Sequence, residues 1–176
     1  MPKQILETER LNVCELATGD LPFVERMLTD PLTMRFWPRP YTKEESAQWI
    51  ERHQARYRSD GCGYWLLSLR SGEPIGQVGV LIQTIELPPS LAIEPPIYGL
   101  GYILHHPFWG HGYATEAANA CLTWAFEEFN PPHVIALVRP ENLPSIAVAE
   151  RIGMVDSGTV MYSGFNHKVY ATTDKP

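Results

Sequence analysis

Two glycines one residue apart, Gly110 and Gly112, lie between a strand-like segment and a long amphipathic pattern. Glycine lets the backbone approach a ligand closely and turn its N–H groups outward. The helix that follows would add its unpaired first amides and the positive end of its dipole, which suits a phosphate or pyrophosphate. A plain tight turn between strand and helix would use the same residues, so this pattern alone leaves both interpretations open.

Other phosphate and metal motifs are missing around this loop. A dinucleotide-binding glycine motif would need glycine at Thr115 and an acidic residue where Pro131 and Pro132 stand, and the chain contains no G-K-[ST] triplet. The sequence therefore argues against nucleotide hydrolysis and nicotinamide redox chemistry. Adjacent residues at a strand end point to opposite faces, so His105 and His106 are not expected to share a metal with His111. No metal is expected.

The surrounding elements predict a mixed α/β protein built around one central sheet. Apolar and small residues between Ala114 and Phe129 recur at helical spacing, and the capping-box pattern Thr42–Glu45 opens an earlier helix. Strand-like segments include Tyr98–Leu104, directly before the glycine loop, and Arg10–Leu16 near the amino terminus. The predicted order is β-α-α-β-β-β-α-β-α-β-β, and the length of 176 residues predicts a single domain over residues 1–176.

Composition narrows the range of partners and the location. The net charge of −6, from 14 basic and 20 acidic residues, argues against a nucleic-acid binder and leaves room for a cationic acceptor. No apolar run approaches the ~20 residues that a membrane-spanning helix needs, and the amino terminus lacks a signal-peptide centre. The widely spaced Cys14, Cys62 and Cys121 predict reduced thiols. A cytoplasmic protein without membrane contact is expected.

The segment from Pro107 to Ala117 resembles the acetyl-CoA-binding motif of the GNAT acetyltransferase superfamily, [QR]-x-x-G-x-[GA]. Gly112 and Ala114 match its last two fixed positions, whereas Trp109 stands where Gln or Arg is usual. The segments 6–11, 34–45, 101–104, 142–145 and 150–154 also resemble, in the right order, parts of the branch that contains the ribosomal-protein N-terminal acetyltransferases. The resemblance spans about residues 6–172.

The resemblance implies an α+β fold with a mostly antiparallel central sheet, flanking helices and two splayed strands that hold acetyl-CoA as co-substrate. Asn142 would hydrogen-bond the pantetheine, and Ser145 would lie near the thioester sulfur. The backbone of the preceding strand would bind the pantetheine arm, and the loop amides would hold the pyrophosphate. The implied strand residues are Ile103 and Leu104, and the implied loop residues are Gly110, His111, Gly112, Tyr113, Ala114 and Thr115.

The implied reaction is transfer of an acetyl group to a primary amine, on a peptide N-terminus or a small molecule, by direct attack on the thioester. Many members place a tyrosine four positions after the serine equivalent, but this chain has Ala149 there. Ser145 is therefore the candidate donor to the leaving thiolate, although it could merely bond backbone in the first turn of a helix. The general base is not determined; its candidates are Glu86, Glu94, Tyr98, His105 and His106.

Two further features leave alternatives open. Phe36, Trp37 and Tyr41 could pack in the core or form a wall of the acceptor site. The proline-rich loop 86–96 could cover that site or lie in a homodimer interface. Because the usual tyrosine and the usual Gln/Arg are both replaced, a non-catalytic acyl-CoA-binding sensor or interaction module on the same fold is the competing hypothesis.

Overall fold

Eight strands form one mixed sheet in the computed structural model, which describes residues 2–173. The spatial order is β1-β2-β3-β4-β5-β6-β8-β7, and every neighbouring pair is antiparallel except β5 and β6. The strands are β1 (Gln4–Glu7), β2 (Leu11–Cys14), β3 (Tyr64–Leu69), β4 (Pro74–Gln83), β5 (Ile97–Leu104), β6 (Val134–Val138), β7 (Met154–Tyr162) and β8 (Phe165–Thr172). The helices are α1 (Leu21–Leu28), α2 (Lys43–Ser59), α3 (Tyr113–Phe129) and α4 (Leu143–Arg151). The predicted fold class is confirmed.

Strand alternation divides the core between the two faces of the sheet. In β4, Val78 and Val80 pack in the cluster that includes α3, whereas Leu81 packs in the cluster built from α1 and α2. Successive side chains of a strand point to opposite faces. The helices α3 and α4 therefore cover one face, and α1 and α2 cover the other.

The two helix patterns are confirmed. Thr42 and Glu45 form the capping box, in which Thr42 Oγ1 accepts from Glu45 N at 3.2 Å and Glu45 Oε2 accepts from Thr42 N at 2.8 Å. The predicted inner face of α3 is buried, and the helix ends at Phe129, where Asn130 turns left-handed with φ 45°. The buried α3 residues are Ala117, Ala118, Cys121, Leu122, Ala125 and Phe126.

Near the amino terminus the predicted order lacked one strand, β1. The strand predicted over Arg10–Leu16 is confirmed as β2, and β1 pairs with it in a hairpin whose turn is closed by the bond from Thr8 N to the Leu11 oxygen at 2.9 Å. Asp20 does not cap α1 with its side chain; its Oδ2 accepts from Ala17 N at 2.7 Å in the preceding turn. Polar side chains that bond nearby backbone in this way compete with regular capping.

The proline-rich loop between β4 and β5 packs against its own sheet. Ile85, Leu87, Leu91 and Ile93 contact a buried cluster that β5, β6 and β8 supply. Two cavities lie beside α2 and α4, and among the described residues that line them none lies between 85 and 96. The loop therefore supports the sheet rather than covering the acceptor side. Within residues 2–173, no helix is both long and apolar enough to cross a bilayer.

Candidate active site

The strands β5 and β6 separate soon after they pair. Their parallel register consists of Tyr98 with Val134 and Gly99 with Ile135, although β5 continues to Leu104 and β6 to Val138. Beyond these pairs, β5 remains bonded to β4 on one side only. The result is a wedge-shaped opening in the sheet, lined by peptide groups that a neighbouring strand would otherwise satisfy.

The register shows which peptide groups of β5 face this opening. His105 N donates to the Ile75 oxygen at 3.0 Å, and the Ile103 carbonyl lies against Gly76 in β4. Peptide groups alternate in direction along an antiparallel strand, so those of Tyr102 and Leu104 point away from β4. The indole N–H of Trp109 already donates to the Leu104 oxygen at 2.8 Å. The residue that replaces the usual Gln or Arg therefore ties the glycine loop to the end of β5.

The glycine loop presents a row of free amides. Gly110 and Gly112 have φ values of 81° and 80°, in the left-handed region that glycine adopts without strain. Among the described residues, the amides from Gly110 to Thr115 find no hydrogen-bond acceptor, and the first helical bond is that of Glu116 N to the Gly112 oxygen at 3.1 Å. Consecutive outward N–H groups at a helix start are a binding site for an anion.

A carboxylate in the first turn of α3 holds this loop against the β1–β2 turn. Glu116 accepts from Thr8 Oγ1 at 2.6 Å, from Arg10 N at 3.0 Å and from Arg10 Nε at 2.6 Å. The Arg10 guanidinium also donates to the His111 oxygen at 3.0 Å and lies 4.8 Å from the Tyr113 ring centre. Burial raises the pKa of Glu116, but the hydrogen bonds from Thr8 and Arg10 outweigh it and lower the pKa below its ordinary value.

A Glu116→Ala variant is expected to bind coenzyme A about fivefold more weakly, a loss of ~1 kcal/mol, because Arg10 loses the partner that holds the loop. Titration calorimetry measures the affinity. Because the pKa of Glu116 is lowered in the folded protein, Glu116 stabilises the fold above its unfolded pKa. This contribution to folding stability disappears as the pH falls through the folded pKa. The matched control is Glu127→Ala, an exposed position on the same helix. An unchanged affinity in Glu116→Ala would contradict the role of this contact.

A cavity of about 550 Å³ runs from the glycine loop to α4 through the opening in the sheet. Every cofactor-binding residue predicted from the sequence lines it except His111. The His111 ring instead stacks on Tyr113 with 5.5 Å between centres, while its carbonyl accepts from Arg10. The structure thus brings the strand, loop and α4 residues to one cavity.

At the α4 end of this cavity, Ser145 lies next to a tyrosine that the sequence alone did not indicate. Asn142 caps α4 through its Oδ1, which accepts from Ser145 N at 3.3 Å. The Tyr102 hydroxyl donates to the backbone carbonyl oxygen of Ser145 at 3.4 Å. Burial raises the pKa of Tyr102 to about 12, although hydrogen bonding with Ser145 lowers it in part. Tyr102 and the buried Ala149, which stands at the position of the usual α4 tyrosine, both line the larger of the two cavities.

A second cavity, of about 660 Å³, meets the first at Tyr102, Asn142 and Ser145. Its walls include Trp37 and Tyr41, whose rings pack edge-to-face with Trp49 at 5.9 and 5.6 Å between centres. These aromatic side chains also pack against the buried cluster under α1 and α2. The rings of Trp37 and Tyr41 therefore pack against the core and line a cavity at the same time. That this cavity receives the acceptor stays a prediction.

The candidate bases named from the sequence do not lie here. Among the described cavity-lining residues there is no Glu86, Glu94, Tyr98, His105 or His106. The Tyr98 ring stacks on Phe129 beneath α3 with 4.8 Å between centres. A residue that the sequence did not single out, His167 on β8, lines the second cavity, and its Nδ1 lies 3.0 Å from the Phe165 oxygen.

His105 and His106 do approach one another, so the prediction from strand alternation was wrong. One ligand atom each from Asp30, His105 and His106 lies within 4.8 Å of the others. His105 follows β5 and His106 begins a short turn, so strand alternation no longer separates their rings. The Asp30 carboxylate accepts from His106 Nδ1 at 2.7 Å and from Thr33 N at 2.8 Å, which accounts for the cluster as a loop support. The expectation of no metal stays a prediction.

Sequence comparison agrees with this geometry. The family described as "Acetyltransferase (GNAT) domain" matches residues 10–155. The chain belongs to the GNAT acetyltransferase family. This GNAT chain is 41% identical over 154 residues to YnaD of Bacillus subtilis (strain 168), described as an uncharacterized N-acetyltransferase, covering 87% of this chain and 84% of that protein.

Solved structures share the GNAT fold of this chain. A crystal structure of an acetyltransferase from Agrobacterium tumefaciens is 32% identical, with a TM-score of 0.78 over 96% of this chain and 94% of the other. The RimL ribosomal alpha-N-protein acetyltransferase in complex with coenzyme A is 18% identical, with a TM-score of 0.74 over 96% and 97%, and shows the same fold. The chain is thus an acetyl-CoA-dependent N-acetyltransferase, as its sequence predicted.

Proposed function

We propose that this enzyme acetylates a primary amine by direct attack on the thioester, without a covalent acyl-enzyme, at the junction of the two cavities. The observation that carries the proposal is that junction: the first cavity begins at the free loop amides, the second has aromatic walls, and they meet at Tyr102 and Ser145. A thioester in the first cavity and an amine in the second would come together there without crossing solvent.

The residues of the first cavity fit acetyl-CoA. The amides from Gly110 to Thr115 would hold the pyrophosphate, and the α3 dipole would favour its negative charge. The Tyr102 peptide groups and the Leu104 N–H would bind the pantetheine arm as an added strand does, whereas the Leu104 oxygen accepts from Trp109 and the Ile103 carbonyl faces β4. The Asn142 oxygen is used for capping, so its Nδ2, which has no acceptor among the described residues, would donate to the pantetheine.

The leaving group is a thiolate, and two hydroxyl groups are near its proposed position. As the amine nitrogen forms its bond to the carbonyl carbon, the C–S bond breaks and the electron pair stays on sulfur. Free thiols have a pKa of about 8.5, so a hydrogen bond can stabilise the thiolate without full proton transfer. We assign this role to Ser145, assisted by Tyr102: its raised pKa keeps the phenol protonated, and its O–H would turn from the Ser145 carbonyl oxygen, 3.4 Å away, to the sulfur.

A base is needed only to take the amine proton. An α-amine has a pKa of about 7.7–8.0, so deprotonation at neutral pH costs less than ~1 kcal/mol, against ~4 for lysine. Glu45 is a poor candidate because hydrogen bonds from Arg39 lower its pKa to about 2. We assign the proton to His167: its Nδ1 must carry the hydrogen that bonds the Phe165 oxygen, so its Nε2 holds the free lone pair.

A His167→Gln variant is expected to lose about tenfold in kcat/KM at neutral pH and to recover as the pH rises above the amine pKa. The recovery follows because an amine that is already neutral needs no base. A pH profile of thiol release checks this, with wild-type behaviour in His133→Gln as the control, since His133 lines neither cavity. An equal loss at all pH values would assign His167 a packing role instead.

Thiol release from acetyl-CoA with a panel of amines tests the function as a whole. Turnover with at least one amine supports the transferase. Coenzyme binding without turnover on any amine would favour the competing proposal, a non-catalytic acyl-CoA sensor or interaction module on the same fold.

We also propose a cytoplasmic location, which the three free cysteines support, and a single domain. Size-exclusion chromatography tests whether the protein forms a homodimer.

A further inference from the structure

The charge of the second cavity is opposite to that of the whole chain. The chain carries a net charge of −6, yet the charged side chains that line this cavity, among residues 2–173, are four arginines and one glutamate. They are Arg39, Arg52, Arg56, Arg139 and Glu45. A cavity lined by one sign of charge concentrates ligands of the opposite sign. The acceptor side is therefore electrostatically suited to an anion, which the overall composition did not indicate.

The pairing of these groups leaves one arginine without a carboxylate. Arg39 and Glu45 cancel each other in a two-pronged ion pair, with contacts of 2.8 and 2.6 Å. Arg56 lies 3.7 Å from Asp60, outside the cavity, and the buried Nε of Arg139 makes no hydrogen bond although a Glu141 oxygen is 3.4 Å away. Arg52 lies over the Trp49 ring at 5.5 Å and has no ion pair within residues 2–173.

The same face of α2 carries a further unsatisfied donor. Arg52 and Arg56 are four residues apart on one helix face, a like-charge arrangement that costs roughly 0.2–0.5 kcal/mol unless an anion lies between them. Between them is His53, which is 2% exposed and accepts from Tyr64 N through Nδ1 at 3.1 Å. Its Nε2 therefore carries the hydrogen, and it finds no acceptor among the described residues.

His53 is held as a neutral donor. Burial, with the charges of Arg56 and Arg52, lowers its pKa to about 3. A buried N–H without an acceptor costs about 1–3 kcal/mol, which an oxygen of a bound ligand would recover. The helix thus presents two guanidinium groups and one neutral N–H to the same cavity, which is a donor set for a planar or tetrahedral oxyanion.

The size and walls of the cavity describe the rest of the ligand. A volume of about 660 Å³ lies in the range of small-molecule sites, which is about 300–1,000 Å³. Trp37, Tyr41 and Trp49 give it an aromatic wall beside the α2 donors. An apolar or aromatic body fits between the wall and the junction at Tyr102.

We propose that the acceptor is a small primary amine that also carries a carboxylate or phosphate group, and that Arg52 binds this anion with Arg56 and His53 beside it. The proposal rests on the proposed function, because it names the substrate class of the same cavity. The amine would point to the junction at Ser145 and Tyr102, and the anion would lie along α2. Arg52 is then a specificity-determining residue for the reaction.

Three amines that differ in one substituent test this proposal: tyramine, para-(aminoethyl)benzoate and tyramine phosphate. We expect kcat/KM for thiol release to be at least about tenfold higher for the carboxylate or the phosphate compound than for tyramine. Arg52→Gln is expected to raise KM for the preferred anionic amine and leave tyramine unchanged. Arg58→Gln, an exposed position on the same helix that lines neither cavity, is the matched control. Equal use of all three amines would overturn the proposal. Of the two anionic amines, the one with the higher kcat/KM shows whether the site takes a carboxylate or a phosphate.

A binding measurement separates this proposal from the transferase function. Calorimetry with saturating coenzyme A would compare para-ethylbenzoate and para-ethylphenyl phosphate with para-ethylphenol, none of which has an amine. Binding of an anion at least about tenfold tighter than the phenol, lost in Arg52→Gln, supports the anion site even if no amine is acetylated. Failure of both anions to bind more tightly than the phenol would overturn it even if amines are turned over.

Discussion

A Gly112→Glu variant is expected to bind coenzyme A at least about a hundredfold more weakly than the wild-type chain. Gly112 has φ 80°, where any other residue costs ~1–2 kcal/mol, so the loop would shift. The new carboxylate would also lie beside the amides proposed to hold the pyrophosphate, where two negative charges repel. A Cβ added at this position would lie 3.5 Å from Arg10 Nη2, an ordinary contact, so charge and backbone conformation rather than collision cause the loss.

Two matched variants separate the causes. Gly112→Ala keeps the backbone strain without the charge and is expected to lose only about tenfold. Gly72→Glu adds the same charge at φ 90° in the turn between β3 and β4, with nothing within 4 Å of the new Cβ, and should leave coenzyme affinity unchanged. Titration calorimetry with coenzyme A, beside melting curves that report folding, measures all three. Wild-type affinity in Gly112→Glu would remove the glycine loop from the proposed coenzyme site.

The sequence predicts best those features whose partners are close along the chain. The capping box joins Thr42 to Glu45, three residues apart, and the inner face of α3 follows from a period that repeats within a few residues. The glycine loop belongs to the same class, since its two glycines adjoin the helix whose amides they expose. In each case the local spacing determines the geometry.

The features that the sequence could not predict depend on distant residues. Glu116 is held by Arg10, 106 residues away, and no local pattern links them. Tyr102 is an ordinary strand residue until β5 and β6 separate and bring α4 to its hydroxyl. Alternation over Arg10–Leu16 predicts β2, whereas β1 was missed because it has only four residues and the turn at Thr8 has no glycine or proline to mark it.

The net charge of the chain does not describe the charge around the second cavity, for a related reason. A sum over 34 charged residues, 14 basic and 20 acidic, indicates a cationic partner, although weakly. The fold places Arg39, Arg52 and Arg56 on one cavity and distributes most carboxylates elsewhere. Recognition depends on the local field, which requires the three-dimensional arrangement.

Removing both hydroxyl groups near the proposed sulfur position is expected to cost the enzyme on the order of a hundred- to a thousandfold in kcat. Ser145→Ala and Tyr102→Phe alone should each cost about tenfold, because the remaining hydroxyl can still donate to the thiolate. The KM for acetyl-CoA should change little, since binding is assigned to the loop amides and the β5 backbone. Steady-state thiol release with the two single variants and the double variant measures these effects.

A chemical control distinguishes thiolate stabilisation from a structural effect. A thioester whose thiol is more acidic leaves with less help, so it should restore part of the lost rate in the double variant. Tyr98→Phe removes a hydroxyl from the same strand, at a ring that stacks on Phe129 and lines neither cavity, and should behave as wild-type. If the double variant kept the wild-type kcat, Ser145 and Tyr102 would have no part in the chemical step. The thiolate would then have to be stabilised by the positive end of a helix dipole or by peptide N–H groups alone.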